Sequence, residues 1–220
     1  MSAVITKTYV APPFCEKEIL RYAGCKTADE GMLALLRSCL EESKDTFVYR
    51  VCYTQLPVTT YENTCDFGAF CLRSERLAKN LLNAAQTIVF AATVGVEIDR
   101  LIARYGRLSP SRALMLQAIG AERIETLCDL FCRDIQREQK IKIGPRFSPG
   151  YGDLSLQAQK EIFAVLDPSK KIGVYLNESM LMSPSKSVTA FVGFTDTMYE
   201  TNTNKCAFCE KKDCEIRREK

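Results

Sequence analysis

Residues 146–153 have the sequence Arg-Phe-Ser-Pro-Gly-Tyr-Gly-Asp, which is the most informative stretch of the chain. It places one cation, one aromatic ring and two glycines beside a proline, a composition typical of a rigid loop that holds a small molecule. A second stretch, Leu176 to Val188 (LNESMLMSPSKSV), follows about one helix later. The loop alone has a plainer explanation, in which Arg146 is a surface arginine paired with a nearby carboxylate. The segments around the loop therefore have to decide between these two interpretations.

The composition of the chain argues against nucleic-acid and membrane partners. The chain has 220 residues, and its 30 basic and 27 acidic residues give a net charge of +3, interleaved rather than segregated. Met1 to Pro13 lacks the features of a secretory signal, and the longest apolar stretch, Ile88 to Val96, is too short to span a bilayer. We therefore expect a soluble, cytoplasmic protein, whose eleven cysteines are reduced thiols or metal ligands rather than disulfides.

The sequence contains no histidine and no tryptophan. A chain without imidazole cannot form the usual serine or cysteine triad. It also lacks a histidine general base and a histidine metal ligand. Any chemistry must then depend on carboxylates, arginine, tyrosine, thiolates or a borrowed cofactor. We assign no catalytic residue.

Hydrophobic periodicity predicts helices and strands in mixed order. The clearest strand is a buried one from Thr87 to Val94. The clearest helix is a long one that begins at Ser109 and Pro110 and runs towards Gln139. Gly120 lies within it and either bends it or allows close packing. The other predicted helices are 28–43 with a Thr27–Glu30 capping box, a helix from Ser74 to Ala84 or Ala85, 97–105, and 156–166 capped by Asp153 or Ser155. The other predicted strands are 47–56, 66–72 returning along it, 141–143, 172–176 and 188–194.

This order of elements predicts an α+β fold. We expect a mixed or antiparallel sheet with packed helices, including the one long helix. We also expect residues 1–200 to form a single domain and residues 201–220 to form a cysteine-containing C-terminal tail.

Three segments together resemble one known family. The order R-x-S-P-G-Y, then a helix, then I-G-V-x-L-N-E-S-x-x-M-x-P-x-K-S-V resembles the activation domain of cobalamin-dependent methionine synthase. Phe90 to Asp99 and Ala118 to Glu125 are similar to the matching segments of small free-standing relatives of that domain. The resemblance covers roughly residues 85 to 195 and implies the activation-domain fold.

The resemblance implies S-adenosylmethionine as the ligand, bound in an extended pose. Carried over residue by residue, it implies Arg146 and Tyr151 as ligand contacts, with the backbone of Ser148 beside the adenine. The planar fork of a guanidinium matches the carboxylate of the methionine moiety, whereas an acid elsewhere offsets its ammonium or sulfonium charge. Glu125 on the long helix is the candidate for that acid, with a solvated helix-face glutamate as the alternative. A second family acid lies just upstream of the arginine, and Glu138 is the nearest, displaced, candidate for it.

The resemblance also implies a role in methionine biosynthesis. In that family the domain presents S-adenosylmethionine to an inactive cobalamin, which is rescued by one electron and a methyl group. No segment resembles a cobalamin-binding module, so the cobalamin is expected from a partner, either a methionine synthase subunit or another corrinoid protein. A flavodoxin-like protein is a candidate electron donor. Whether the chain is itself an enzyme or a subunit of a cobalamin-dependent methyltransferase stays open.

The tail carries the pattern C-x-x-C-x-x-x-x-C at Cys206, Cys209 and Cys214. The first pair has metal-ligand spacing, although zinc and iron–sulfur clusters usually take four ligands. The tail is therefore either a metal or cluster site or a reduced thiol segment. Two alternative functions follow from it: electron delivery to a corrinoid protein through an iron–sulfur cluster, and a zinc-stapled binding module without catalytic function.

Overall fold

A central antiparallel sheet organises the molecule. The computed structural model describes residues 3–25 and 27–195. The strands are β1 (Ile5–Tyr9), β2 (Tyr49–Pro57), β3 (Thr59–Tyr61), β4 (Thr64–Asp66), β5 (Cys71–Arg73), β6 (Gln86–Thr93), β7 (Lys142–Ile143), β8 (Tyr175–Leu176), β9 (Met182–Ser183) and β10 (Ser187–Thr195). Five of them form the main sheet in the order β1-β2-β6-β10-β7, while β3-β4-β5 and β8-β9 form two smaller sheets.

Helices cover both faces of this sheet. They are α1 (Glu16–Tyr22), α2 (Glu30–Ser43), α3 (Glu75–Asn80), α4 (Glu97–Leu108), α5 (Pro110–Gln139), α6 (Gln159–Leu166) and α7 (Pro168–Ile172), with a 3-10 turn at Leu156–Ala158. Helices α1, α2 and α4 pack on α5, which lies on one face, and α6 and α7 lie against β2 and β6 on the other. The prediction of an α+β fold with antiparallel strands and one long helix is confirmed.

Strand β6 lies at the centre of both hydrophobic cores. Its side chains alternate, so that Ile88 and Phe90 pack towards α5 while Val89 and Ala91 pack towards α6 and α7. All four are at most 1 % exposed. Because both faces are covered, the strand is apolar without alternation, which is the pattern that identified it in the sequence.

Helix α5 is the longest element and carries residues of the site. Pro110 occupies its first turn, and Lys140 ends it in a left-handed conformation with φ of 54°. Phe131 packs against the rings of Phe90 at 4.8 Å and Tyr53 at 5.1 Å between centroids. Gly120 provides close packing, since a Cβ there would lie 2.9 Å from Cε of Lys186.

A buried ion pair joins α5 to the amino-terminal segment. Arg123 is fully buried and Glu122 is 2 % exposed, and their side chains are joined by two hydrogen bonds of 2.6 Å. The same guanidinium donates to the carbonyl oxygens of Pro12 at 2.6 Å and Pro13 at 2.8 Å, and it lies 4.1 Å from the ring centroid of Phe14. The segment before α1 is thus held against the middle of α5.

Some predicted elements were wrong. Residues 66–72 do not return along β2, because β4 and β5 pair with β3 in a separate sheet. Residues 168–172 form α7, because Pro168 suits a first helical turn and Gly173, with φ of 75°, ends it; only Tyr175–Leu176 is strand there. The Thr27–Glu30 capping box is replaced by Asp29, whose side chain accepts from the Met32 amide.

The start of α3 agrees with the prediction from the sequence, and the domain boundaries remain a prediction. Ser74 caps α3 as expected, although this helix ends at Asn80. The division into a domain at 1–200 and a tail at 201–220 stays a prediction. Within the described ranges, no helix is both long and apolar enough to cross a membrane.

Candidate functional site

The loop at 144–155 is fastened to the edge of the main sheet. The backbone groups of Phe147 and Phe191 exchange two hydrogen bonds of 3.0 and 2.8 Å, and the Gly144 amide donates to the Gly193 carbonyl at 2.8 Å. Phe147 packs among the residues of the core on the α6 side. The segment that carries Arg146 is therefore positioned by β10.

Past Phe147 the chain folds into a compact turn. The Tyr151 amide donates to Ser148, the Leu154 amide to Tyr151, and the Gly150 amide to Leu154, at 2.9 to 3.1 Å. Gly150 has φ of 87°, a value that L side chains rarely adopt. Pro149 is buried beneath the turn, whereas the Tyr151 side chain is 70 % exposed. The turn thus presents an aromatic ring at the surface on a hydrogen-bonded backbone.

Asp153 attaches this turn to the start of α3. Its carboxylate accepts hydrogen bonds from the Ser74 hydroxyl at 2.5 Å and from the amides of Glu75 at 2.7 Å and Arg76 at 3.2 Å. Asp153 therefore caps α3, and Ser155 caps the 3-10 turn that leads into α6. The hydrogen bond from Ser74, followed by those from the two amides, holds the pKa of Asp153 below its ordinary value of 3.8.

A pH-dependent loss of stability is expected from Asp153. Because its pKa is lower in the folded protein, the carboxylate stabilises the fold above its ordinary pKa and ceases to do so as the pH falls through the folded value. We expect Asp153→Asn to lower the free energy of unfolding by roughly 0.5–1 kcal/mol near neutral pH, because the carboxylate is exposed and its interactions are screened by solvent. The difference should shrink as the pH falls below about 5. Urea unfolding at each pH measures it.

The control for this prediction is Asp45→Asn, which changes an exposed aspartate in the turn after α2. It should change stability by less than about 0.5 kcal/mol at every pH. A difference between wild type and Asp153→Asn that is as large at low pH as at neutral pH would contradict the assignment.

Arg146 forms the electrostatic centre of the site. Its side chain is 10 % exposed; Nη2 donates to Glu125 at 2.7 Å and Nη1 donates to Asp129 at 2.5 Å. Burial opposes the charged guanidinium, but the interactions with Cys128, Glu125, Cys132 and Asp129 outweigh it, so the pKa of Arg146 is raised. We call Arg146, Glu125 and Asp129 the Arg146 cluster.

The two acids of this cluster face solvent more than the arginine does. The side chains of Glu125 and Asp129 are 35 % and 33 % exposed. Glu125 was singled out from the sequence, whereas Asp129 was missed. The signal was available, because residues four apart on a helix share a face. The cluster therefore offers one buried fork of donors beside two accessible carboxylates.

The structure places the remaining predicted site residues differently. The Ser148 backbone lies in the turn, where its carbonyl accepts from Tyr151. Glu138 lies near the end of α5 and binds Lys7 of β1 at 2.6 Å. At ~1.5 Å per residue it lies ~20 Å along the helix from Glu125. Glu138 is thus not brought together with Arg146.

The cysteine prediction lies outside the described residues. Cys206, Cys209 and Cys214 belong to the segment after residue 195 that the structure does not describe. In the part of the chain that is described, no group of three or more cysteine, aspartate and glutamate side chains could hold a metal ion. The metal assignment on the tail stays a prediction.

The second predicted segment folds against α4 and β6. After the β8–β9 hairpin and a cis Ser183–Pro184 peptide, the amide and hydroxyl of Ser185 both donate to Asp99 at 2.6 Å. The hydroxyl of Ser187 donates to Thr93 at 2.9 Å. The half-buried Lys186 side chain lies over Gly120, and burial lowers its pKa. This segment therefore contacts α4, β6 and α5 and links the three elements.

Comparisons with known proteins give one consistent picture. A family model described as vitamin B12 dependent methionine synthase, activation domain, matches residues 74–215. The fold is similar to the crystal structure of the MetH reactivation domain bound to AdoHcy, with a TM-score of 0.64 and 15 % sequence identity, over 90 % of this chain and 81 % of that one. The comparison with curated proteins gave no match.

Proposed function

Because the chain belongs to the family of the vitamin B12 dependent methionine synthase activation domain, we propose that it binds S-adenosylmethionine at the Arg146 cluster and Tyr151. The bound nucleoside would serve methyl transfer to the corrinoid of a partner protein. The observation that carries this proposal is the buried guanidinium of Arg146 between two accessible carboxylates.

The charges of the cluster suit the amino-acid end of the ligand. A guanidinium donates two parallel hydrogen bonds to a carboxylate, and its low exposure strengthens them. Glu125, already within reach of Arg146, is the acid we assign to the ligand ammonium. Tyr151 supplies an exposed ring that suits an adenine face, and the Ser148 backbone lies in the same turn.

This chain's contribution to the reaction is positioning. The positive charge on the sulfonium already makes the thioether a good leaving group. The site therefore has only to hold the methyl group in an orientation that faces the partner. A reduced corrinoid held by the partner would supply the methyl acceptor, and this chain would be left holding S-adenosylhomocysteine, the thioether that remains when the S–CH₃ bond breaks. The one electron that reduces the corrinoid comes from a separate donor, for which a flavodoxin-like protein is our candidate.

A single-turnover assay tests this function. The full chain is mixed with an inactive corrinoid protein, a chemical reductant and S-adenosylmethionine labelled in the methyl group. We expect label to appear on the corrinoid at a rate at least ~100-fold above that without the chain, because orientation is worth several kcal/mol. An equal rate with and without the chain, for both a methionine synthase subunit and another corrinoid protein, would reject the proposal.

A further inference from the structure

Asp129 and Glu125 bind different nitrogen atoms of the Arg146 guanidinium. Glu125 accepts from Nη2 and Asp129 accepts from Nη1, so the two acids share the guanidinium between them. Aspartate has a shorter side chain than glutamate, and its contact with Arg146 is the closer of the two. Both acids thus contact the guanidinium, and Glu125, with one more rotatable bond, has more rotamers with which to reach a ligand.

The Arg146 cluster has one positive and two negative charges, so its net charge is −1. The neighbouring charges leave this balance largely intact. Arg21, close to the cluster through Tyr22, is paired with Glu18 at 2.7 Å. Arg133 is exposed and donates its Nε to the backbone carbonyl of Asp129 at 3.3 Å, where water and salt screen its charge.

A net negative site distinguishes the two nucleosides of the reaction by their charge. S-adenosylmethionine has a carboxylate, an ammonium and a sulfonium, so its net charge is +1. Loss of the methyl group removes the sulfonium charge, and S-adenosylhomocysteine is neutral overall with nearly the same shape. For two unit charges ~7 Å apart, at an effective dielectric between those of a protein surface and water, the Coulomb energy corresponds to about a tenfold change in affinity.

We propose that Asp129 is a specificity-determining residue, which by its charge favours the sulfonium ligand over the neutral thioether product. This inference rests on the proposed function, because it requires that both nucleosides bind at the Arg146 cluster. It gives the site a means of releasing its product: once the methyl group has left, the favourable interaction with Asp129 is lost.

The test is calorimetric titration of the full chain with S-adenosylmethionine and S-adenosylhomocysteine. The quantity compared is the ratio of the two dissociation constants. We expect Asp129→Asn to reduce the preference for S-adenosylmethionine by about tenfold, and Asp129→Glu to retain it. A loss of local structure would weaken both ligands together and would not move this ratio. The matched control is Asp134→Asn, on the same helix. Its carboxylate accepts from Lys7 at 2.8 Å and from Tyr9 at 2.9 Å. The ratio of the two dissociation constants for this variant should equal that of wild type.

Wild type provides a second measurement that needs no variant. Raising the salt concentration from about 0.05 to 0.5 M should weaken S-adenosylmethionine binding more than S-adenosylhomocysteine binding. A ratio that Asp129→Asn leaves unchanged would overturn this inference alone. No binding of either nucleoside to wild type would overturn the proposed function, and the inference with it.

Discussion

Arg146→Ala is expected to abolish measurable S-adenosylmethionine binding, with a loss of affinity of at least ~100-fold. The guanidinium is the buried cation of the cluster, and its removal leaves two carboxylates with no cation between them and the ligand carboxylate with no fork of donors. Arg146→Lys keeps the charge but cannot donate two parallel hydrogen bonds, so we expect an intermediate loss of about tenfold. Calorimetric titration measures both variants.

The control for this prediction is Arg137→Ala, which removes an exposed arginine from α5, the helix that carries Glu125 and Asp129. Its affinity should stay within about twofold of wild type, since exposed charges are strongly screened. Thermal unfolding of Arg146→Ala should still be cooperative, because the two acids that lose their contact with Arg146 are about one third exposed. Wild-type affinity in a folded Arg146→Ala protein would remove Arg146 from the ligand site.

Arg123→Ala is expected to cause the largest loss of stability, about 3–5 kcal/mol in the free energy of unfolding. The substitution leaves the Glu122 carboxylate, 2 % exposed, without its cation, and leaves the carbonyl oxygens of Pro12 and Pro13 without the guanidinium donor. It also removes the stacking of the guanidinium on Phe14. Equilibrium unfolding in urea measures the change.

Two further variants test whether the loss of stability comes from the burial of the Glu122–Arg123 pair or from the removal of any charge. Arg100→Ala breaks an exposed pair with Glu97, whose side chains are 69 % and 50 % exposed, and should cost less than about 1 kcal/mol. Replacing Glu122 and Arg123 together with Gln and Met should recover part of the loss, because no charge is then left buried. A cost for Arg123→Ala no greater than that for Arg100→Ala would contradict this account.

The parts of the fold that were predictable are those with a long, regular pattern. Helix α5 has its proline start and apolar spacing over 30 residues, and β6 is continuously apolar because both its faces are covered. Strand β1 lies at the edge of the sheet and exposes Ile5, so its apolar signal is weak. The pairing of β3, β4 and β5 with one another depends on contacts distant from β2, which local pattern does not specify.

The candidate site was predictable only in part. Glycine, proline and an arginine lying together in sequence marked the loop, and the resemblance of three segments to a known family then assigned Arg146 and Tyr151 to the ligand. Asp129 was missed although it lies four residues after Glu125, because only packing shows that this face of α5 meets the loop. Asp153 or Ser155 was expected to cap the following helix; Ser155 caps the 3-10 turn that leads into it, whereas Asp153 accepts from Ser74 at the start of α3.

A crystal structure of the full chain grown with S-adenosylhomocysteine would test directly whether the nucleoside binds at the Arg146 cluster. We expect the carboxylate of the ligand within ~2.7–3.2 Å of the Arg146 guanidinium, Glu125 turned to the ligand ammonium, and the adenine beside Tyr151 and the Ser148 backbone. A ligand bound elsewhere, with Arg146 still held by both Glu125 and Asp129 and touching no ligand atom, would contradict this expectation.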